Sequence, residues 1–162
     1  QERILKICFA NPYIVVGQTI LLNKRLEGTV KSYKDLNDPK FILTSRMGTT
    51  GEQAIKKYIP RATYKGFESE AEAGLEVING KAHAAVASAP TPAFQAIEHP
   101  DTLFLPFKET FTKEPIGFAV RKGDPDSLNY FNNWIQYVAA EGWLAERKTY
   151  WFKTQDWKDK LQ

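Results

Sequence analysis

The chain has 162 residues, of which 43% are hydrophobic and 25% charged, a composition typical of a folded globular protein and not of a disordered one. Its 22 basic and 19 acidic residues leave a net charge of +3, and the basic residues are dispersed, so we expect no nucleic-acid partner. One cysteine excludes an intramolecular disulfide, and with only two histidines we expect no metal site and no cofactor.

The first elements are predicted strands. Residues 4–9 are rich in apolar and β-branched side chains, and Asn11-Pro12 interrupts them before a second apolar run at 13–23. No apolar run reaches the roughly 18 residues of a membrane helix, and the start at Gln1 has no apolar signal-peptide segment. Because a strand begins almost at once, we expect a processed, truncated or proteolysed product.

Strand and helix patterns alternate along the rest of the chain, which predicts an α/β fold with a largely parallel sheet. The predicted strands are 41–45, 62–67, 82–87, 103–106 and 116–121. The predicted helices are 52–59, the segment between Ser69 and Gly80, 89–98, the segment from Asp124 to about Gly142, and a short one in the tail 150–157.

Two of these helices have specific end signals. Ser69 and Glu72 form a capping box for a helix whose apolar face is expected to contain Ala71, Leu75 and Ile78. The long helix begins with Asp124-Pro125, an N-cap followed by a first-turn proline. Its expected buried stripe is Leu128, Phe131, Trp134, Ile135 and Val138.

The turn Gly48-Thr49-Thr50-Gly51 joins a predicted strand to a helix. Free N–H groups at a helix start, the helix dipole and two hydroxyls would together bind a carboxylate or a similar anion. It is not a phosphate-binding P-loop, because Glu52 stands where that motif has lysine. The alternative is an ordinary capped helix, with Thr49–Glu52 or Thr50–Gln53 as its capping box.

A second strand–helix junction lies at residues 87–90, and ligands in open α/β sheets bind at the carboxyl ends of strands. No catalytic constellation of Ser/His/Asp or Cys/His type can be assembled from the sequence, so no catalytic residue is assigned. The close-spaced Glu68, Glu70, Glu72 and Glu76 are interpreted as a solvated helix face.

Five segments carry motifs in a characteristic order: 2–13 (ERILKICFANPY), 34–36 (KDL), 46–52 (RMGTTGE), 84–90 (AAVASAP) and 116–123 (IGFAVRKG). In this order they resemble motifs of the amino-acid-binding periplasmic proteins of ABC transporters, solute-binding protein family 3. The resemblance implies a type II periplasmic-binding-protein-like α/β fold, with two lobes joined by hinge strands and the ligand between them. It makes residues 12–112 a complete second lobe and residues 1–11 and 113–162 part of the first lobe, whose opening portion would be absent.

The family's ligand contacts can be carried over by position. Arg3 matches the arginine that grips the ligand carboxylate, and a guanidinium binds a carboxylate through two hydrogen bonds. Thr50 matches the residue that binds the same carboxylate, with Gly48 and Thr49 shaping the loop. Arg46 occupies a position that often meets the ligand side chain; a surface role is the alternative.

Ser88 departs from the family pattern, which usually has an aspartate here to pair with the ligand's ammonium group. A buried ammonium without a carboxylate partner is costly. Either another acid substitutes, with Glu114 as the candidate, or the ligand is not an ordinary α-amino acid.

The resemblance implies the extracytoplasmic substrate-binding component of an ABC transporter. Its partners would be a small carboxylate ligand, such as an amino acid or an analogue, and an inner-membrane ABC permease. Two alternatives on the same fold remain: a cyclohexadienyl-dehydratase-like enzyme and the ligand-sensing domain of a receptor kinase.

Overall fold

The computed structural model describes residues 6–154 and 156–157. The strands are β1 Ile7–Phe9, β2 Ile14–Val16, β3 Gln18–Asn23, β4 Ile42–Arg46, β5 Thr63–Phe67, β6 Ala84–Ser88, β7 Leu103–Phe104, β8 Glu114–Ile116 and β9 Ala119–Arg121. The helices are α1 Thr50–Tyr58, α2 Glu70–Ile78, α3 Thr91–Glu98, α4 Pro125–Ala140 and α5 Trp143–Lys153. None of the described helices has the length and apolar character needed to cross a membrane.

The chain divides into two compact units. Unit 1 is built from the two ends of the chain, up to Val15 and from Glu114 onward. Unit 2 is the continuous segment Val16–Lys113.

Unit 2 contains a five-stranded sheet in the order β5-β4-β6-β3-β7. β4 pairs in parallel with β5 and β6, whereas β3 pairs antiparallel with β6 and β7. The α/β class and the largely parallel sheet are therefore confirmed, because four of the five strands run in one direction and β3 alone runs against them. The strands β4, β5, β6 and β7 follow one another through helical crossovers, whereas β3, the first strand of the unit, lies between β6 and β7 and runs antiparallel to both.

The centre of the sheet is buried on both faces. β3 is buried over Gln18–Leu22, which explains its nearly continuous apolar sequence. On one face Ile20 and Leu22 pack with Leu43 and Ile55, and on the other face Leu21 packs with Val77 and Leu103. Full burial of each such side chain is worth about 1.5–3 kcal/mol, so this core holds the strand ends of unit 2 in place.

Glycines divide two of the predicted strands. The segment 13–23 forms β2 and β3, separated by Gly17, where a Cβ would lie 2.0 Å from the carbonyl oxygen of Thr112. The predicted strand 116–121 is also divided, since its first residue is the last of β8 and its second half forms β9. Between the two lies Gly117, where a Cβ would lie 2.6 Å from the carbonyl oxygen of Ala10. At both positions neighbouring backbone comes too close for a side chain, so each strand is interrupted at a glycine.

Most helix ends follow their sequence signals. Ser69 and Glu72 make the predicted capping box of α2, and Gly80 follows that helix with a φ of 70°. Asp124 caps α4 through a hydrogen bond from the Ser127 N–H, and Gly142, with a φ of 78°, lies just beyond its C-cap.

Three helix predictions differ from the structure in their buried face or their bounds. α2 buries Ala73, Gly74 and Val77 in place of the expected face, and Leu75 is 52% exposed. Its small residues allow close packing, because a Cβ on Gly74 would lie 2.5 Å from Nε2 of Gln95. α3 begins after Pro90, and α5 begins at Trp143, ahead of the predicted tail helix.

Unit 1 has a smaller core. β1 pairs antiparallel with β9, and β2 pairs with β8. Ile135 and Val138 of the predicted α4 stripe are buried, and the Phe131 ring stacks on Phe118 with centroids 4.7 Å apart. Unit 1 thus rests largely on aromatic packing around α4.

Candidate functional site

The strand ends of unit 2 bring the predicted site residues of that unit to one edge of the sheet. β4 and β6 are parallel neighbours that end at Arg46 and Ser88. β3 runs antiparallel to β6, so Gln18 at its start is paired with Ser88. The turn 47–49 leads directly from β4 into α1, so a helix N-terminus lies at the carboxyl edge, where open α/β sheets bind ligands.

Local hydrogen bonds fix the turn before α1. Gly48 has a φ of 70°, a left-handed conformation that glycine adopts without strain. Its N–H donates to Glu52 Oε2 at 2.7 Å, and the Thr49 hydroxyl donates to the Arg46 carbonyl at 2.6 Å. Thr49 is the N-cap but makes no side-chain cap bond, so both predicted capping boxes are wrong.

Glu52 is therefore a structural part of the turn. Its carboxylate accepts hydrogen bonds from Lys56 and from the Gly48 N–H, and these contacts lower its pKa below the ordinary value. Since the Gly48 N–H is already used by Glu52, Gly48 contributes the shape of the turn.

Gln18 lies at the centre of this edge, and its side chain is almost fully buried at 1% exposure. Its Nε2 donates to the Thr50 hydroxyl at 2.9 Å and to the Ser88 hydroxyl at 2.7 Å. One amide group thus links the start of α1 to the end of β6.

The backbone of Gln18 is held as firmly as its side chain. Its N–H donates to Thr112 Oγ1 at 2.7 Å, and its carbonyl accepts from the Phe111 N–H at 3.0 Å. The Ala89 N–H donates to the Gly17 carbonyl at 3.0 Å, just before the cis Ala89–Pro90 bond. Gln18 therefore has little freedom to move away from the two hydroxyls.

Sequence reasoning missed Gln18, because it placed this residue inside an apolar strand. The available signal was an amide side chain directly after a glycine, inside a mostly apolar run. A buried polar side chain in a central strand needs hydrogen-bond partners, and Gln18 finds two of them in the hydroxyls of Thr50 and Ser88.

The remaining predicted residues occupy different positions. Thr50 is exposed at the start of α1, Ser88 is half-buried, and Arg46 is exposed at the end of β4. Arg3 lies outside the described residues. Glu114, the candidate acid, is the half-buried first residue of β8 in unit 1.

The chemistry of this edge suits an anion. The Thr50 and Ser88 hydroxyls each accept from Gln18, so each retains its own proton for donation. The first N–H groups of α1 and its dipole add to these donors. Within the described ranges no group of three or more His, Cys, Asp or Glu side chains could hold a metal ion.

Unit 1 has a separate concavity of about 520 Å³, which we call the aromatic groove. It is lined by Tyr13, Ile14, Phe118, Trp134, Trp143, Leu144, Arg147, Lys148, Trp151 and Phe152. Its walls are largely apolar, so it offers few groups that could orient a small polar ligand.

Comparison with known proteins gives consistent matches. The family model of the bacterial extracellular solute-binding proteins, family 3, matches residues 1–154. The glutamine-binding protein of Geobacillus stearothermophilus is 31% identical over 130 residues, which are 80% of this chain and 47% of that protein. The L-cystine-binding protein TcyJ of Escherichia coli is 26% identical over 93% of this chain and 56% of its own length. The chain thus spans about half the length of the curated relatives it matches.

Solved structures agree in fold. A binding component of an ABC transporter from Wolinella succinogenes, complexed with lysine, is 40% identical with a TM-score of 0.89. The match covers 98% of this chain and 68% of that one. An ancestral amino-acid-binding protein, AncCDT-1, described as a precursor of cyclohexadienyl dehydratase, is 40% identical with a TM-score of 0.79 over 93% of this chain and 64% of its own.

Proposed function

Because this chain belongs to the bacterial extracellular solute-binding proteins, family 3, we propose that it is part of the amino-acid-binding component of an ABC transporter. The observation that carries the proposal is the donor arrangement at the edge of the unit 2 sheet. There the hydroxyls of Thr50 and Ser88 and the start of α1 are held together by Gln18. Such an arrangement suits a carboxylate, the group that all α-amino acids share.

We also propose that the two units correspond to the family's two lobes. Residues 12–112 are the complete second lobe, and residues 1–11 and 113–162 are part of the first lobe. The continuous unit 2 and the discontinuous unit 1 support this division.

The ligand-binding residues of the proposal are Arg3, Arg46, Gly48, Thr49, Thr50 and Ser88. Arg3 and Thr50 bind the ligand carboxylate, the Ser88 hydroxyl is a further donor to it, and Gly48 and Thr49 shape the turn. The exposed position of Arg46 at the end of β4 suits a contact with the ligand side chain.

A polar L-amino acid is the ligand we favour, since the relatives are described as binding glutamine, cystine and lysine. The protein would act outside the cytoplasm and deliver its ligand to an inner-membrane ABC permease. The family's designation as extracellular supports this location.

The test is a thermal-shift and calorimetric screen of the full-length protein against L-lysine, L-glutamine, L-cystine, keto acids and dicarboxylates. Saturating ligand at 100 times its Kd stabilises a protein by about 2.7 kcal/mol, which gives a measurable rise in Tm. We expect a rise with at least one of the three amino acids and its loss in Arg3→Ala. A screen with no amino-acid response would contradict the proposal, and an unaltered shift in Arg3→Ala would contradict the carboxylate assignment.

Thr50→Val tests the contribution of unit 2, because it replaces the hydroxyl by a methyl group of similar size. Loss of a hydrogen bond to a charged carboxylate should weaken binding about tenfold or more. The matched control is Thr63→Val. Thr63 begins β5, at the opposite edge of the sheet, and its hydroxyl donates to the Pro39 carbonyl at 2.9 Å. We expect Thr63→Val to bind as the wild type does.

A second candidate function is a cyclohexadienyl-dehydratase-like enzyme. It is favoured by the similarity to the ancestral protein described as a precursor of cyclohexadienyl dehydratase. We favour binding without turnover, because Ser88 leaves no acid at the position where the cleft would most readily supply one. Incubation of the full-length protein with prephenate or arogenate should give no aromatic product, and turnover would replace the transport proposal.

A further inference from the structure

We propose that Gln18 is a positioning residue of the binding site: its buried amide orients the hydroxyls of Thr50 and Ser88 so that both donate to the ligand carboxylate. The inference rests on the proposed function and extends it to a residue with no expected ligand contact. It predicts that the polarity of this one amide group determines how well the protein recognises a carboxylate.

The contacts of Gln18 carry the argument. Its Nε2 is 2.9 Å from the Thr50 hydroxyl oxygen and 2.7 Å from the Ser88 hydroxyl oxygen, so the two oxygens flank a single nitrogen. An amide nitrogen has two protons and donates one to each. A hydroxyl group that accepts a hydrogen bond on one side directs its own proton away from that donor. Both hydroxyls lie at the carboxyl edge of the sheet, so this edge is where their protons can point.

Burial and backbone anchoring make Gln18 rigid. The side chain is 1% exposed, and its main chain is bonded to Thr112 and Phe111. Gly51, in the first turn of α1, lets the helix approach closely, because a Cβ there would lie 3.2 Å from Gln18 Oε1. A rigid buried group can hold two hydroxyls in one arrangement without the entropy loss that free hydroxyl rotors would suffer on ligand binding.

Ser88 determines which chemical group of the ligand this half of the site can recognise. Serine supplies no charge to the ligand, so this half of the site is neutral and consists of donors. Aligned hydroxyl donors form stronger hydrogen bonds to an anionic oxygen than to the carbonyl oxygen of a neutral amide. The amide of Gln18 therefore sets the preference for a carboxylate over its uncharged analogue.

Gln18→Glu is the sharpest test, because it keeps the size of the side chain and reverses its polarity. A carboxylate accepts and does not donate, so both hydroxyls would give their protons to Glu and none to the ligand. We expect the ratio of affinities for L-lysine over L-lysinamide to fall about tenfold. Should the wild type bind glutamine and not lysine, L-glutamine and its α-amide serve as the pair.

Two further variants separate positioning from folding. Gln18→Met removes the donors at nearly the same length and should lower the affinity ratio less than Gln18→Glu does. Asn23→Asp makes the same amide-to-acid change at the other end of β3, where the amide donates to the Val77 carbonyl at 2.8 Å. It should lower the Tm and leave the affinity ratio unchanged, as a purely structural effect would.

A ligand-free measurement tests the hydrogen bonds themselves. In NMR spectra the side-chain amide protons of Gln18 should be protected from exchange and should shift in both Thr50→Val and Ser88→Ala. Unprotected amide protons, or an affinity ratio that Gln18→Glu leaves unchanged, would overturn the role of Gln18. A wild-type protein that binds none of the tested amino acids while its Gln18 amide stays protected would instead refute the binding function, and with it the ligand-directed part of this inference.

Discussion

At the scale of single residues, neighbouring side chains of the same type have different tasks. The hydroxyl of Thr49 donates to the Arg46 carbonyl and stabilises the turn, whereas the hydroxyl of Thr50 accepts from Gln18. The sequence Gly48-Thr49-Thr50-Gly51 predicts an anion-binding turn but does not distinguish these two threonines. The distinction depends on Gln18, which is 32 residues away from Thr50 along the chain.

His83 makes the stability of unit 2 depend on pH. Its Nδ1 accepts the Ile42 N–H at 2.9 Å, and its ring meets Phe41 edge-on. Burial, assisted by the nearby Arg25, lowers the pKa of His83 below its ordinary value of 6.5. The unfolded chain therefore takes up a proton more readily than the folded chain. The stabilisation is present above about pH 6.5 and is lost as the pH falls below that value towards the folded-state pKa.

His83→Asn should remove this dependence, because Asn Oδ1 can accept the Ile42 N–H and does not titrate. The measurement is the free energy of unfolding in denaturant between pH 5 and 8. His99→Asn is the matched control, since His99 is the other histidine and lies exposed after α3. An equal change of slope in both variants would show that His83 is not the group responsible.

At the scale of elements, the cap of α2 offers a measurable contribution to stability. The Ser69 hydroxyl accepts the Glu72 N–H, and the Glu72 carboxylate accepts the Ser69 N–H, both at 3.1 Å. Ser69→Ala should reduce the free energy of unfolding by about 1 kcal/mol. Ser69→Asp keeps an acceptor at the N-cap and should retain most of that stability. Equal losses in both variants would show that the cap is not the cause.

Local signals predicted the elements better than they predicted what the elements pack against. Ser69, Asp124 and Gly142 mark helix ends through bonds made within a few residues, and the structure confirms them. Gly17 and Gly117 interrupt strands because distant backbone approaches them, and no local pattern records that approach. The buried face of α2 was missed for the same reason, since α3 decides which residues can pack closely.

The same limit applies to the candidate site. Thr50 and Ser88 could be named from strand–helix junctions, because the carboxyl ends of parallel strands meet at one edge. Gln18 could not, since its relation to them depends on the antiparallel pairing of β3 with β6, across 70 residues of chain.

At the scale of the whole molecule, the two units differ in their means of stability. Among the residues that the structure describes, both clusters of buried hydrophobic side chains lie within unit 2. Unit 2 is also one continuous segment, whereas unit 1 needs both ends of the chain. Amide hydrogens of β3 and β6 should therefore exchange most slowly, and those of β1 and β9 faster.

An excised segment comprising residues 16–113 should fold by itself. It contains the whole five-stranded sheet, its helices and both hydrophobic clusters. Circular dichroism and urea denaturation should show a single cooperative transition. Absence of such a transition would mean that unit 1 supplies stability that the core of unit 2 lacks.

The split origin of unit 1 has a consequence for biosynthesis. Ile7 of β1 pairs with Arg121 of β9, so this pairing cannot form until residue 121 has been translated. Unit 2 is complete once Lys113 has left the ribosome, and domains generally fold as units in the order of synthesis. The growing polypeptide would then carry a folded unit 2 before β1 has paired with β9.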